Sequence, residues 1–287
     1  MFSHKPTWLI EWLCSLAGTV KVKKMKLYLT GIKSYQLDLG IECAAFLQPR
    51  LERTIQGIKR DPCEPEQPIR TPLTRPFLLR ILQYLSATDY GDIVLSAAFA
   101  LAFAGFLRVG EFTYTQADRN LGRAFPKWFL SKSSIKMHEC GRYMEVTLPA
   151  SKTDPFRKGI ELTIAASRDP ACPVQLMKQF LTSDTHRSSE QPLFCIGRDI
   201  QQAFTRDHVV LKFQQLALQA GLGHGTWNGH SFRRGAATWA AQVGLSETGV
   251  QTLGHWRSDA YKTYIEYSNQ QRISLSKRFQ VSQGSAS

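Results

Sequence analysis

The stretch "GHSFRRGAATWAAQVGLSETGVQTLGHWRSDAYKTY", Gly229 to Tyr264, decides how this chain reads. It opens with His230 and Arg233 at i and i+3 near a helix start, so the two side chains share a face. Arg234, the next residue, falls off that face and points elsewhere. Gly244 and Gly254 stand where helix C-caps fall, which predicts two helices, "SFRRGAATWAAQVG" and "SETGVQTLG". Gly221 closes the preceding helical run in the same way. His255 comes just before a turn. Tyr261, Tyr264 and Tyr267 then recur at every third residue, a spacing that on an α-helix keeps them on one face and suits a packing stripe.

Working outward, "GFLRVGEF" places Arg108 at the end of the most apolar run in the chain, Ile93 to Leu107. A charge there is costly to bury without partners, and Glu111 is three residues on, close enough to orient the guanidinium. "YMEVTLPA" and "GIELTIA" alternate and are rich in β-branched residues. With "FLSKSSIKM" before them they predict a small antiparallel sheet. "PASKTDPFRKG" puts Lys152 at the tip of its hairpin. Taken singly, these are an Arg–Glu pair, a turn lysine and a capping histidine. There is no His-Glu-x-x-His and no carboxylate nearby at ligand spacing, so no zinc is expected.

Taken together, two arginines, two histidines, a lysine and a tyrosine form the kit for one reaction. A phenolate attacks a phosphodiester and becomes covalently phosphorylated. Guanidinium groups hold the non-bridging oxygens as charge builds on them. A lysine or histidine protonates the leaving 5′-oxygen. The scheme requires no metal and no ATP, because the bond energy is kept in the covalent intermediate.

The order Arg, Lys, His-x-x-Arg, His, Tyr resembles the catalytic domain of tyrosine recombinases, the phage-integrase and Cre-like family, whose catalytic fold is shared with type IB topoisomerases. The carrying motifs are "FLRVGEF", "SKTDPFRKG", the Gly229–Trp256 stretch and "YKTYIEY". They cover residues 75 to about 280, and "YLTGIKSYQLDLG" is similar to the last part of the family's helical core-binding domain. "HSFRRGAATWAA" is most similar to recombinases of eukaryotic mobile elements, Cryptons and related retroelements. The resemblance implies a nucleophile nine residues after the second histidine, which is Tyr264. Tyr261 and Tyr267 are then packing residues, about 4.5 Å up and down an α-helical axis. It implies that Arg108 and Arg233 clamp the scissile phosphate and that Lys152 is the general acid. His230 would assist proton transfer from Tyr264, and His255 would donate to a non-bridging oxygen. Glu111 and Trp256 would support these groups from behind. It further implies double-stranded DNA as partner and a homo-tetramer on two DNA sites.

The bulk properties agree. The 36 Lys and Arg against 23 acids give a net charge of +13, which points to a polyanion, nucleic acid before an anionic membrane surface. Up to Arg60 there are ten bases and four acids, with Lys21, Lys23, Lys24, Lys26 and Lys33 as candidate DNA contacts. The six cysteines are scattered, without metal-ligand spacing, which suits an intracellular setting, the nucleus if the host is eukaryotic. Glu11 interrupts the N-terminal apolar run, arguing against a signal peptide. Ile93 to Leu107 is shorter than the ~20 residues of a membrane span.

The expected organisation is mainly α with one small antiparallel sheet. Residues 1–60 form a helical core-binding domain, short for the family and expected to be incomplete. Residues 61–74 form a Pro-rich linker, and residues 75–287 form the catalytic domain. Other readings are a type IB topoisomerase-like enzyme, an inactive or domesticated DNA-binding relative, and an RNA-binding protein using the basic surface alone.

Overall fold

The structure, a computed structural model, describes residues 7–60, 71–149, 159–198, 202–223, 225–256, 258–265, 269, 272–274 and 276–277. The chain divides into two compact units, Met1–Pro68 and Ile69–Ser287.

The first unit holds α1 (Thr7–Leu16), α2 (Val22–Asp38) and α3 (Pro49–Arg60). Helix α2 turns Val22, Met25 and Leu29 inward, at i, i+3 and i+7, against Leu9 and Leu13 of α1 and Leu51 and Ile55 of α3. Ile32 is half-buried and Leu39 is exposed, so the fully buried stripe ends at Leu29. The stripe leaves the other faces to polar and basic side chains. Lys23, Lys24 and Lys26 are exposed, whereas Lys21 and Lys33 are half-buried. Lys26 pairs with Glu52 at 3.5 Å, and Lys24 lies 5.5 Å from the ring centre of Tyr28.

The second unit contains α4 (Arg75–Leu82), α5 (Tyr90–Ala104), α6 (Val109–Phe112), α7 (Gln116–Arg119) and α8 (Phe125–Trp128). The strands β1 (Ile135–Met137), β2 (Tyr143–Leu148) and β3 (Ile160–Ala165) follow. Then come α9 (Pro173–Ser183), α10 (Arg206–Gln219), α11 (Ser231–Gln242) and α12 (Glu247–Leu253). A 3₁₀ turn, Asp259–Tyr264, follows α12. The sheet is antiparallel in the order β1-β2-β3, with Ile135 opposite Val146 and Val146 opposite Leu162. The segment expected as the first strand is shorter in the structure: Lys132–Ser134 is a 3₁₀ turn, and only Ile135–Met137 pairs.

Helix α5 is apolar all round because it is enclosed all round, with Ile93 to Phe103 buried and α4, α6, α9 and α11 packed on it. Asp89 starts it by accepting from the Asp92 backbone N–H at 3.0 Å. No helix among the described residues is long and apolar enough to cross a membrane. An aromatic cluster joins α5, α10 and α11. Phe232 lies 5.2 Å from Phe99 and 4.8 Å from Phe213 between ring centres, and all three are fully buried. Turning α11 about its axis would expose Phe232, so the cluster fixes where its neighbour Arg233 points.

The expected linker ends differently from its sequence reading. Residues 61–70 lie outside the described residues, while Leu73 belongs to the core of the second unit. Its backbone N–H donates to the Ser231 carbonyl at 3.0 Å. This strand-like approach requires Gly235, where a Cβ would lie 1.8 Å from the Leu73 carbonyl oxygen. Pro72 favours an extended backbone at residue 71, Thr74 is extended (φ −77°, ψ 167°) just ahead of α4, and a side-chain-free helix surface receives the segment.

Candidate active site

Arg233 is only 4% exposed and is aimed by backbone carbonyls. One terminal nitrogen donates to the Phe106 carbonyl at 2.7 Å, the other to the Gly254 carbonyl at 2.8 Å. Phe106 (φ 52°) and His255 (φ 54°) are the non-glycine residues with positive φ among those described. One supplies the first carbonyl and the other follows directly on the second. Backbone strain of this kind persists only where packing over-determines it, and here it sits on both sides of one guanidinium.

Trp256 closes the arrangement. Its ring centre is 4.3 Å from the Arg233 guanidinium carbon, a cation–π stack. Phe106 meets the same indole edge-on at 5.9 Å. The indole rests on Gly254, where a Cβ would lie 1.5 Å from its ring. Gly221 and Gly244 have the positive φ expected of C-caps. Gly254 does not: its φ is −88°, and glycine is needed there for space, while the left-handed turn falls on His255.

Arg108 does not end the apolar helix, which stops at Ala104; it caps the next one, α6. The Glu111 carboxylate accepts from its guanidinium at 2.7 Å and from its backbone N–H at 2.8 Å. Arg108, Glu111, Arg233 and His255 line one cleft, with Leu148 at the end of β2 and Ile160 at the start of β3 beside them. The connection between these strands therefore starts and ends at the cleft. Lys152 belongs by sequence to this connection and is outside the described residues.

The electrostatics follow from this packing. Burial first, and then the like charge of Arg108, lowers the Arg233 pKa to about 10, against the opposing pull of Glu111 and Tyr264. Burial, and then Arg233, pushes the His255 imidazole below its ordinary value, with Glu111 working the other way. The cleft thus presents two guanidinium groups, one carboxylate engaged by Arg108, and a neutral imidazole. Among the described residues Arg233 makes no ion pair, and its Nε and the Trp256 indole N–H are buried without a hydrogen-bond partner.

The tyrosines separate in burial. Tyr261 is 2% exposed, and its hydroxyl donates to the Glu247 carboxylate at 3.0 Å. Tyr264 is half-buried, with its ring centre 5.9 Å from that of Trp256. Asp259–Tyr264 is a 3₁₀ turn rather than the α-helix expected from the spacing, so the axial offset between the two is about 6 Å. Tyr267 lies outside the described residues.

His230 precedes α11, and its backbone N–H donates to the Asn228 side chain at 2.9 Å. It stands one residue outside α11 and is not among the residues lining the Arg108–Arg233–His255 cleft. Arg234 follows the sequence reading and adds a contact to it. It does leave the Arg233 face, yet its guanidinium carbon lies 5.9 Å from the ring centre of Tyr264. Thr238, which the sequence does not single out, donates its hydroxyl to the Tyr264 carbonyl at 2.8 Å.

The chain has the tyrosine-recombinase fold: mainly helical, with a small three-stranded antiparallel sheet. It is similar to a XerH site-specific recombinase in a post-cleavage complex with a palindromic difH substrate, at 16% identity and a TM-score of 0.63, over 98% of this chain and 73% of that one. It is also similar to the Tn1549 transposon integrase. In that protein's complex with transposon right end DNA the identity is 13% and the TM-score 0.57, over 98% of this chain and 86% of that one. In its complex with circular intermediate DNA they are 14% and 0.54, over 96% and 85%. No protein-family model matches the sequence, and no curated protein matches it.

Proposed function

We propose that this protein is a site-specific DNA recombinase or integrase that cleaves and rejoins DNA through a covalent 3′-phosphotyrosyl intermediate. The observation that carries the reading is the pair of guanidinium groups lining one cleft with the Glu111 carboxylate, beside a half-buried tyrosine. A buried cation without a counter-ion is unfavourable unless a ligand supplies the anion, and a phosphodiester oxygen is an anion that a guanidinium binds bidentately.

In this reading the Tyr264 hydroxyl oxygen forms a bond to phosphorus as the bond to the 5′-oxygen breaks. The phenol proton passes to His230, and the leaving 5′-oxygen takes a proton from Lys152. Arg108 and Arg233 hold the non-bridging oxygens, where charge grows in the transition state. His255, kept neutral by burial and by Arg233, donates a hydrogen bond to one of them without adding a third charge. Glu111 holds Arg108, and Trp256 holds Arg233. Attack by a free 5′-hydroxyl reverses the step and rejoins the strand.

The basic side chains of the first unit on and next to α2, Lys21, Lys23, Lys24, Lys26 and Lys33, would contact the DNA backbone as part of a core-binding domain. Recombination of two sites calls for four protomers. The subgroup of eukaryotic mobile elements rests on the sequence motif "HSFRRGAATWAA" alone.

The test is covalent trapping on a nicked oligonucleotide, in which the short fragment on the 3′ side of the cut, carrying the free 5′-hydroxyl, diffuses away after cleavage. Wild type should form a protein–DNA adduct stable to denaturant, and Tyr264→Phe should form none while binding DNA equally. Failure of wild type to trap any duplex, its own element ends included, would leave a DNA-binding relative. Relaxation of supercoiled plasmid without site dependence would leave a topoisomerase.

A further inference from the structure

Helix α11 has two working faces. One carries Arg233, which the carbonyls of Phe106 and Gly254 aim at the cleft. The other carries Arg234 and Thr238, four residues apart and therefore neighbours on the helix surface. Both reach Tyr264, and at different points. The Thr238 hydroxyl donates to the Tyr264 backbone carbonyl at 2.8 Å, and the Arg234 guanidinium carbon lies 5.9 Å from the ring centre.

The Tyr264 carbonyl is at the end of a 3₁₀ turn, where the last carbonyls have no partner within the helix. Any backbone donor further along could satisfy it if the turn continued, but Ile265 is extended (φ −82°, ψ 122°) and the helix stops. Thr238 is 1% exposed, so the bond is made away from water. Tyr261, midway along the same turn, is anchored through Glu247 of α12. The turn is thus pinned at residue 261 and again at residue 264, and the second pin comes from the helix that carries Arg233.

We infer that Arg234 and Thr238 are positioning residues for the nucleophile, forming a seat on α11 that holds Tyr264 of the same chain in register with the phosphate clamp. This rests on the reading of Tyr264 as the nucleophile. The geometric advantage is specific. A single rigid helix fixes both the attacking oxygen's segment and the arginine that holds its target, and effective molarity depends on that relative placement. Thr238 pins the backbone while leaving the phenol free to turn about its side-chain bonds. Arg234 lies over the ring, a cation–π contact that restricts how far the ring swings from its seat.

The test separates the seat from the clamp by changing the nucleophile. In one arm, Thr238→Val, Thr238→Ser and Arg234→Leu are assayed for the rate of covalent trapping on a nicked oligonucleotide, with DNA affinity and melting temperature measured alongside. Thr238→Val should slow trapping on the order of 10- to 100-fold, as a small misplacement of a reacting group does, with DNA affinity within about twofold. Thr238→Ser, which keeps the donor, should restore most of the rate, and Arg234→Leu should slow trapping in the same way as Thr238→Val. In the other arm, each change is made in a Tyr264→Phe background, and hydrogen peroxide is supplied to attack the phosphodiester in place of the phenol. There Thr238→Val and Arg234→Leu should have no effect, because no phenol remains to be seated.

Equal losses in both arms would mean that these residues act through Arg233 or the helix as a whole, and would overturn the seat. Wild-type trapping that neither Thr238→Val nor Arg234→Leu slows would overturn the seat alone. Absence of trapping by wild type would overturn the nucleophile assignment and the seat with it. Should Thr238→Val fail to fold, Arg234→Leu carries both arms.

Discussion

Gly254→Ala isolates the packing on which the Arg233 geometry depends. The backbone at residue 254 has φ −88°, a conformation open to alanine, so the substitution adds no backbone strain. Its cost is steric. The new methyl would stand 1.5, 2.1 and 2.5 Å from three ring atoms of Trp256, and the indole has to leave. With it goes the stack on Arg233, worth about 1–2 kcal/mol when desolvated, and the edge-on packing with Phe106, about 0.5–1.5 kcal/mol. Relaxation around the displaced ring limits any further overpacking penalty, so the expected destabilisation is about 2–4 kcal/mol. Urea unfolding measures it. The decisive assay is a double-mutant cycle: in a Trp256→Ala background the added methyl meets no ring, and most of the cost of Gly254→Ala should vanish. The same change at Gly244 is the control, since nothing lies within 4 Å there and only the φ of +86° resists. A full-sized cost of Gly254→Ala that survives removal of Trp256 would refute the reasoning.

Other expectations follow from the surface and the titrating groups. Cys140 is exposed, and hydrogen bonding from Arg142 first, with a smaller contribution from His138, lowers its thiol pKa to about 7. It should therefore be the first of the described cysteines alkylated by iodoacetamide near neutral pH, and Arg142→Gln should slow that reaction, as read by peptide mass spectrometry. His255 has a folded pKa below the ordinary 6.5, so the unfolded chain takes up the proton first. Its effect on stability is absent above that value and grows as a loss when the pH falls from 6.5 toward the folded pKa. His255→Gln should flatten the fall in melting temperature over that window, leaving the part due to His208, which burial shifts the same way. Replacing the exposed Lys23 and Lys24 by glutamine should reduce the salt slope of DNA binding by about 0.9 for each phosphate no longer neutralised. Lys26→Gln should change it less, because Lys26 already pairs with Glu52.

Much of the fold is legible in the sequence because periodicity reports burial directly. The alternation in "YMEVTLPA" and "GIELTIA" corresponds to β2 and β3, and the unbroken apolar run to the enclosed α5. What the sequence does not carry depends on contacts between distant segments. The apolar pattern around Leu73 says nothing of its bond to Ser231, 158 positions away, and the requirement for Gly235 comes only from that approach. The candidate site shows the same division. His230, Arg233 and Tyr264 stand out by residue type and order. The carbonyls of Phe106 and Gly254 carry no side-chain signal, although each adjoins or belongs to a residue forced to positive φ. Thr238 gives no signal because a threonine inside a helix normally bonds its own helix. Arg234 leaves the Arg233 face without leaving Tyr264, a distinction that spacing along one helix does not carry. The 3₁₀ turn at Asp259–Tyr264 is not distinguished because a three-residue tyrosine period fits 3₁₀ and α geometry alike over so short a span.

Tryptic digestion of the trapped adduct tests most directly whether the Tyr264 oxygen becomes bonded to DNA, because cleavage after Lys262 puts Tyr261 and Tyr264 in separate peptides. A 3′-phosphonucleotide is expected on the peptide from Thr263 to Arg272, with fragmentation placing the mass on Tyr264 rather than Tyr267. The same mass on the peptide ending at Lys262, which holds Tyr261, or on Tyr267, would contradict it.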